Sequence, residues 1–534
     1  MHEGVRSFLT PKAWPQVIGS PEARQAKAAR CAAPGYSCAM RFLLAAVFAL
    51  SLATPAIAQQ SESGVPSSDN TARSLEDDVN AILAGAPEGT RFGLVVQRTN
   101  GQEILAIAPE QRFIPASNTK LYTTLAAYRL LPELQETAEG TGVRLESVRG
   151  GVVDIVLEGR GEATLSSASN CEVQCLAILA DAIAARTKQV RKVTGDATWY
   201  PDERWSAGMS WNNIPFRYGT AASALIVDDN ELVLSIAPGS IGAPVRVETD
   251  GYYRIENRTR TVEGDANTID IRRFPGSETL VVDGTLGADV DVTTFRLGVD
   301  DPAHRAAWRL ARMLEERGVT ISGTIDTRYR PLRPSDDPVN RGSTPLVQAP
   351  REEMFAQLRP ERIDADIVTI NKVSQNLHAE LMLRRVGKLE GSGSTADAQS
   401  ALEAMMAAAQ LPRDGFVLAD GSGMSSYNRL SPRTTARLLN WAAAQSWGAA
   451  WRESLPVGGM DGTLARRFGE TPLGGRIFAK TGSLNASRAL SGYMTAASGE
   501  TLVFSAFAND IPPHGEGAAL AAMDAALLAV ATRY

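Results

Sequence analysis

The residue types and spacing with most chemistry in them are Ser117 and Lys120, in Pro115-Ala-Ser-Asn-Thr-Lys-Leu-Tyr122. A serine hydroxyl is a poor nucleophile until a base takes its proton. On a helix, positions i and i+3 share a face, so the Lys120 amine can lie against the Ser117 hydroxyl. A lysine serves as that base when burial or a cationic neighbour lowers its pKa, whereas arginine stays protonated. Lysine is also scarce: of 54 Lys and Arg residues only eight are Lys, at 12, 27, 120, 188, 192, 372, 388 and 480. In a chain that favours Arg, a lysine is most needed where an amine must lose or relay a proton. Taken alone, Ser-x-x-Lys says little, because a helix cap beside a solvated lysine has the same sequence.

Two further segments carry compatible groups. Ser374-Gln-Asn376 sets a hydroxyl and an amide close together, one able to relay protons and the other to hold a carbonyl. Lys480-Thr481-Gly482-Ser483, read as a strand, offers a cation and a hydroxyl to an anionic group. There Gly482 would let substrate approach the backbone, and the N–H groups of Ser483 and Ser117 could form an oxyanion hole. Each tripeptide alone fits a turn or a cap equally well.

In this order the three segments resemble the Ser-x-x-Lys, Ser-x-Asn and Lys-Thr-Gly set of penicillin-binding proteins and serine β-lactamases. Asp420-Gly-Ser-Gly-Met-Ser, Leu455-Pro-Val-Gly-Gly-Met-Asp-Gly-Thr-Leu464 and Tyr218-Gly-Thr-Ala-Ala-Ser-Ala-Leu narrow the match. They resemble the D-alanyl-D-alanine carboxypeptidase/endopeptidase family, the class C low-molecular-mass penicillin-binding proteins. The resemblance runs from about residue 74 to the C-terminus, and the long interval from Ser117 to Ser374 matches the two small domains which that family inserts there.

The resemblance implies a periplasmic serine DD-peptidase. Ser117 would attack the carbonyl between two D-alanines, or of a D-Ala-diaminopimelate cross-link, and Lys120 would accept its proton. Ser374 with Lys480 would protonate the leaving amine, and Asn376 would position the acyl-side amide. Thr481, Gly482 and Ser483 would hold the substrate's carboxylate and strand-like backbone, with Asp420 and the insertion residue Asp228 as further substrate-binding positions. Peptidoglycan stem peptides would be the substrates, β-lactam antibiotics covalent inhibitors, and no cofactor or metal would be needed. Two positions depart from the family: Ser425-Ser426 stands where Ser-Arg is frequent, with Arg429 three residues on, and Asn485 stands where some members have Gln. The alternatives are a β-lactamase-like hydrolase and a β-lactam- or peptidoglycan-binding protein that acylates without turnover.

The elements that must position these groups are legible from texture. Ser74-Leu-Glu-Asp-Asp begins a capped helix, and Phe92–Val96 and Glu103–Ile107 flank Asn100-Gly101 as a hairpin. A helix is expected over Ser117–Leu131, short strands with Gly and Asp turns over about 140–335, and helices over Ile363–Trp447. A strand at Arg476–Lys480, a hairpin at Ala489–Ala497/Thr501–Asn509 and a helix from Glu516 close the chain. The expected fold is an α/β (α+β) serine penicillin-binding/β-lactamase-like domain, an antiparallel sheet flanked by helices, with strand-rich inserted domains. Residues 59–140 plus 336–534 would form the peptidase domain, and 141–335 an inserted β-rich region, two small domains.

Composition bounds the setting. A chain of 534 residues, 44% hydrophobic and 21% charged, is globular and too long for one ordinary domain. A formal charge of −6 lacks the basic footprint of a nucleic-acid binder. Met40-Arg41, the apolar run Phe42–Leu52 and Thr54-Pro-Ala-Ile-Ala58 read as a signal peptide cleaved after Ala58, with Met40 as the start and residues 1–58 as an overlong leader. That predicts export to the periplasm, and no later stretch is apolar enough to span a bilayer. Cys171 and Cys175, the two cysteines beyond the leader, could pair or stay free, and no further ligands sit nearby for a metal. A Ser-His-Asp hydrolase would need a suitably placed His; beyond the leader there are only His304, His378 and His514, and no Gly-x-Ser-x-Gly elbow.

Overall fold

The computed structural model describes residues 73–131, 140–148, 152–346 and 352–534. The leader and its cleavage site lie outside the described residues. Ser74 opens the first helix, Leu75–Leu83: its hydroxyl accepts from the Asp77 N–H at 3.1 Å while Asp77 reaches back, a reciprocal cap.

A five-stranded antiparallel sheet joins the two ends of the chain, in the order Ile477–Leu484, Ser487–Thr495, Thr501–Asn509, Arg91–Arg98, Glu103–Ile107. Arg91 faces Asn509 and the pairing continues to Arg98 opposite Leu502. Side chains alternate across a strand, and here both faces are covered. Leu502, Phe504 and Ala506 pack with the terminal helices Leu75–Leu83 and Glu516–Arg533. Val503 and Phe507 pack on the other face against Leu121, Leu125, Ile370, Met382 and Leu439 from the middle helices.

Between these halves the chain builds separate sheets. Gly142–Ser147, Val153–Glu158, Gln189–Pro201, Thr320–Ile321, Ile325–Arg330 and Ala356–Gln357 form a six-stranded mixed sheet. Its core includes helices Leu176–Arg186 and Pro302–Glu316. The strand Ala356–Gln357 lies beyond residue 335, so this sheet reaches further along the chain than the sequence texture indicated. Two three-stranded sheets share a smaller core around Leu234, Leu280 and Val282.

The helix Asn376–Lys388 belongs to two cores at once. Ala379, Met382 and Val386 enter the peptidase core, while Leu377 and Leu381 enter the core of the six-stranded sheet. One helix thus fixes the inserted lobe against the sheet, with Asn376 at its first turn. Cys171 and Cys175 form a disulfide with Cα atoms 5.6 Å apart. Helical i,i+4 spacing does not arise, because Cys175 is the extended cap residue before helix Leu176–Arg186 and Gln174 takes φ 53°.

Candidate active site

Ser117 sits in a single 3-10 turn, Ala116–Asn118, that runs into helix Thr119–Leu130. The turn is tight enough to put Ala116 at φ 47°, a conformation L-residues rarely adopt. Lys120, one turn along, is fully buried and donates to Ser117 Oγ at 3.0 Å, Asn376 Oδ1 at 2.6 Å and the Ser422 carbonyl at 2.6 Å. Three acceptors match the three protons of an ammonium. Burial drives Lys120 down to about 7, and the Asp420 and Glu380 carboxylates keep it from falling further. Near neutral pH, therefore, this amine can take a proton.

The second segment reaches the site through a strained turn. Ser374 takes φ 61° between helices Ile363–Lys372 and Asn376–Lys388. Its hydroxyl accepts from Lys480 Nζ at 2.9 Å. Lys480 is also fully buried and donates to the Thr481 carbonyl at 3.0 Å. Burial first, and the Lys120 charge second, press Lys480 well below the ordinary lysine range. Asn376 uses its amide twice, accepting from Lys120 and donating to the Tyr218 carbonyl of the inserted region at 2.8 Å.

The third segment lies on the edge strand Ile477–Leu484 and is stitched to the nucleophile turn by Asn118, whose Nδ2 donates to the Lys480 carbonyl at 2.8 Å. A Cβ on Gly482 would stand 2.5 Å from the Pro115 carbonyl oxygen. The close approach that needs glycine here is thus the protein's own backbone, where the sequence had suggested substrate. Thr481 is half-buried with its hydroxyl 2.7 Å from that of Thr463, and Ser483 is exposed. Gly423 does for the Asp420 loop what Gly482 does for the strand: a Cβ there would sit 1.9 Å from the Ala116 carbonyl oxygen.

Direct hydrogen bonds thus join Ser117, Lys120 and Asn376 in one group and Ser374 and Lys480 in another, Asn118 ties the nucleophile turn to the Lys480 backbone, and Thr481, Gly482 and Ser483 continue along the strand. Two other positions are used differently. Asp420, expected to touch substrate, is buried and takes the N–H groups of Gly423 (2.8 Å) and Ser425 (2.6 Å) and the Asn428 amide (2.7 Å). Its reach to Lys120 is electrostatic. Asp228, expected near the substrate amine, is engaged by Ser167 N–H at 2.7 Å and by the Ser167 and Ser166 hydroxyls at 2.5 and 3.3 Å.

Its neighbour Asp229 faces the second segment instead. Asp229 accepts from Gln375 Nε2 at 3.2 Å and pairs at 3.0 Å with His378 Nε2, whose other nitrogen lies 2.6 Å from Asp366. Asp228, Asp229 and Asn230 all have positive φ, between 50° and 55°, and this contorted turn is what aims consecutive carboxylates apart. Although burial opposes the charged imidazolium, the two carboxylates outweigh it and raise His378 to about 10. Sequence reasoning missed this clamp because its members lie on three segments. Glu380, pushed up to about 7 by burial and the Asp420 charge, was missed too. The i,i+4 spacing from Asn376 was its available signal. Lys372 pairs with Asp461 at 2.6 Å, and Arg429 turns onto the carbonyls of Ser426 (2.5 Å) and Asn428 (2.8 Å). Among the described residues no group of His, Cys, Asp and Glu is arranged to hold a metal, and no helix is long and apolar enough to cross a membrane.

The D-Ala-D-Ala carboxypeptidase 3 (S13) family model matches residues 75–532. The chain is 33% identical over 476 residues to a D-alanyl-D-alanine carboxypeptidase of an Actinomadura species, covering 84% of this chain and 83% of that protein. It is 23% identical over 454 residues to the D-alanyl-D-alanine carboxypeptidase DacB of Haemophilus influenzae, covering 81% and 88% of the two chains. The fold is similar to the crystal structure of penicillin binding protein 4 (dacB) from that organism, with TM-score 0.70, 20% identity and coverage of 84% and 98%. The same protein in complex with a β-lactam matches with TM-score 0.63 and 20% identity, over 81% and 93%.

Proposed function

The chain belongs to the D-Ala-D-Ala carboxypeptidase 3 (S13) family and is a serine-type D-Ala-D-Ala carboxypeptidase, and from that premise we propose that it works through an acyl-enzyme on Ser117. The observation that carries this reading is the buried Lys120 amine 3.0 Å from Ser117 Oγ, lowered to about 7. Ser117 Oγ bonds to the carbonyl carbon of the penultimate D-alanine as its proton passes to Lys120. The C–N bond then breaks, and the leaving amine receives a proton through Ser374, backed by Lys480 at 2.9 Å. Water adds to the ester, returns a proton to Ser117 and releases the shortened peptide. Backbone N–H groups of Ser117 and Ser483 stabilise the oxyanion. Asn376 holds the acyl-side amide, and the Lys480–Ser483 strand receives the substrate's extended backbone and carboxylate.

The substrates are peptidoglycan stem peptides, including D-Ala-diaminopimelate cross-links, so the enzyme is an endopeptidase as well. β-Lactams acylate Ser117 by the same route, a reading supported by the β-lactam complex of the Haemophilus protein. The setting is the periplasm, supported by the leader pattern ending at Ala58. D-alanine release from a pentapeptide, compared between wild type and Ser117→Ala, tests the mechanism. Loss in the variant is the expected result, and equal rates would overturn it. Digestion of purified cross-linked muropeptides decides the endopeptidase activity.

A further inference from the structure

Ser374 stands in a link of three residues, 373–375, between helices Ile363–Lys372 and Asn376–Lys388. Its φ of 61° is one that L-residues rarely adopt. Such a conformation persists only where the surroundings over-determine it. Before the link, Lys372 pairs with Asp461 at 2.6 Å and the Asn371 amide donates to Ser454 Oγ at 2.8 Å. Across the link, His378 Nδ1 lies 2.6 Å from Asp366, so the first turns of the two helices are clasped with Ser374 between them.

The remaining restraint comes from the inserted lobe. Asp229 offers one carboxylate oxygen to each of two neighbours: Oδ1 lies 3.0 Å from His378 Nε2, and Oδ2 accepts from Gln375 Nε2 at 3.2 Å. Gln375 is only 5% exposed, and its side chain makes no cap bond to the helix it precedes. A buried amide left unbonded is unfavourable, and this one is turned to Asp229. Arg296 also faces Asp229, at 3.8 Å, but Glu231 holds that guanidinium closer, at 2.5 Å. The next residue, Asn376, donates one amide hydrogen to the Tyr218 carbonyl at 2.8 Å, which leaves its second for substrate. Two consecutive residues of the catalytic segment are thus bonded to the inserted lobe.

The Ser374 hydroxyl has to stay on Lys480 Nζ, 2.9 Å away, while a proton passes to the leaving amine. A displacement of about 1 Å at such a group can cost on the order of a hundredfold in rate.

We propose that Asp229 is a positioning residue for the reaction: through Gln375 and His378 it holds the strained Ser374 turn so that the Ser374 hydroxyl stays on Lys480 and within reach of the leaving amine. The inference rests on the acyl-enzyme reading. It makes the inserted lobe a part of what sets the rate of the chemical step, through a residue that does not itself touch the reacting atoms.

The test follows acylation of full-length protein by a fluorescent penicillin, separating the rate at saturation from the affinity of the complex that precedes it. Asp229→Ala should lower the saturating rate about tenfold and leave that affinity within about twofold. Gln375→Glu, which sets two carboxylates against each other, should lower the rate similarly. Adding Asp229→Asn to Gln375→Glu restores a donor–acceptor pair and the net charge, and should return the rate to within about threefold of wild type. A role confined to stability would lower the melting temperature and leave the rate of the folded protein unchanged, which would overturn the proposal. So would a double variant no faster than Gln375→Glu alone. Should Asp229→Ala fail to fold, the Gln375→Glu comparison decides by itself. Ser117→Ala protein acylated as fast as wild type would instead overturn the acyl-enzyme reading.

Discussion

Lys120 and Lys480 face each other across the site with the same residue type, the same complete burial and a serine hydroxyl about 3 Å away, yet their surroundings differ. Lys120 has Asp420 and Glu380 behind it; Lys480 has only the charge of Lys120. Removing solvent from an amine always disfavours its charge. Counter-charges then decide whether burial's downward push on the amine is checked near neutral pH, as at Lys120, or meets nothing to oppose it, as at Lys480. The difference teaches that the buried carboxylates behind a lysine set its protonation as much as its own burial does.

The largest effect comes from removing one side entirely. Lys120→Ala should lower the rate of acylation by a fluorescent penicillin at least ~10³-fold, since among the described residues no other base lies against Ser117. Lys480→Ala should cost less, ~10²-fold, because Ser374 remains. Equal losses would collapse the distinction between the two lysines.

His378 offers the opposite case, a buried base pushed upward. Its folded-state value of about 10 lies above the ordinary 6.5. The clamp therefore contributes its full stability below about pH 6.5 and loses it as pH rises through 10. Allowing for a partly exposed Asp229, the contribution is on the order of 3 kcal/mol. Urea unfolding should show wild type weakening from pH 7 to 10, and His378→Gln starting lower with a flatter profile. A wild-type profile with no such slope would count against a charged clamp.

Glu380→Gln makes the Lys120 side resemble the Lys480 side. It removes a charge that holds Lys120 up, so the inflexion in acylation rate against pH should move from about 7 to lower pH, by roughly one unit. Because Glu380 itself titrates near 7, the wild-type rise should also be broader than the variant's. A shift to higher pH would contradict this assignment of charges.

The smallest effect is expected at the Cys171–Cys175 disulfide. It closes a loop of sequence separation four, so reduction should cost at most ~2 kcal/mol in stability. D-alanine release should be unchanged. A loss of activity on reduction would mean that the inserted lobe controls the lysine pair through this loop.

Local patterns were legible in the chain, and distant partnerships were not. Ser117 with Lys120, Ser374 with Asn376, and the Lys480 strand are short-range, and the hairpin around Asn100-Gly101 carries its own turn chemistry. The strand expected from Arg476 and read through Ser483 runs from Ile477 to Leu484, because pairing with Ser487–Thr495 carries it through Gly482. Telling that Asp229 rather than Asp228 meets Gln375 and His378 required knowledge of three consecutive left-handed residues, which no propensity predicts for Asp-Asp-Asn. His378, in the sequence only one of three histidines beyond the leader, gains its two carboxylate partners only when segments around residues 229 and 366 meet it.

One feature of the sheet also bears on solubility. Ile477–Leu484 is an edge strand, and an open edge is a template on which another copy of the chain can add a strand. Here Phe478 is already bridged to Val457 and Thr481 is tied to Thr463, so the neighbouring loop shields much of the strand. On the proposed reading, the backbone left bare is the stretch that receives the substrate peptide, and the tied stretch is the part closed to a second chain.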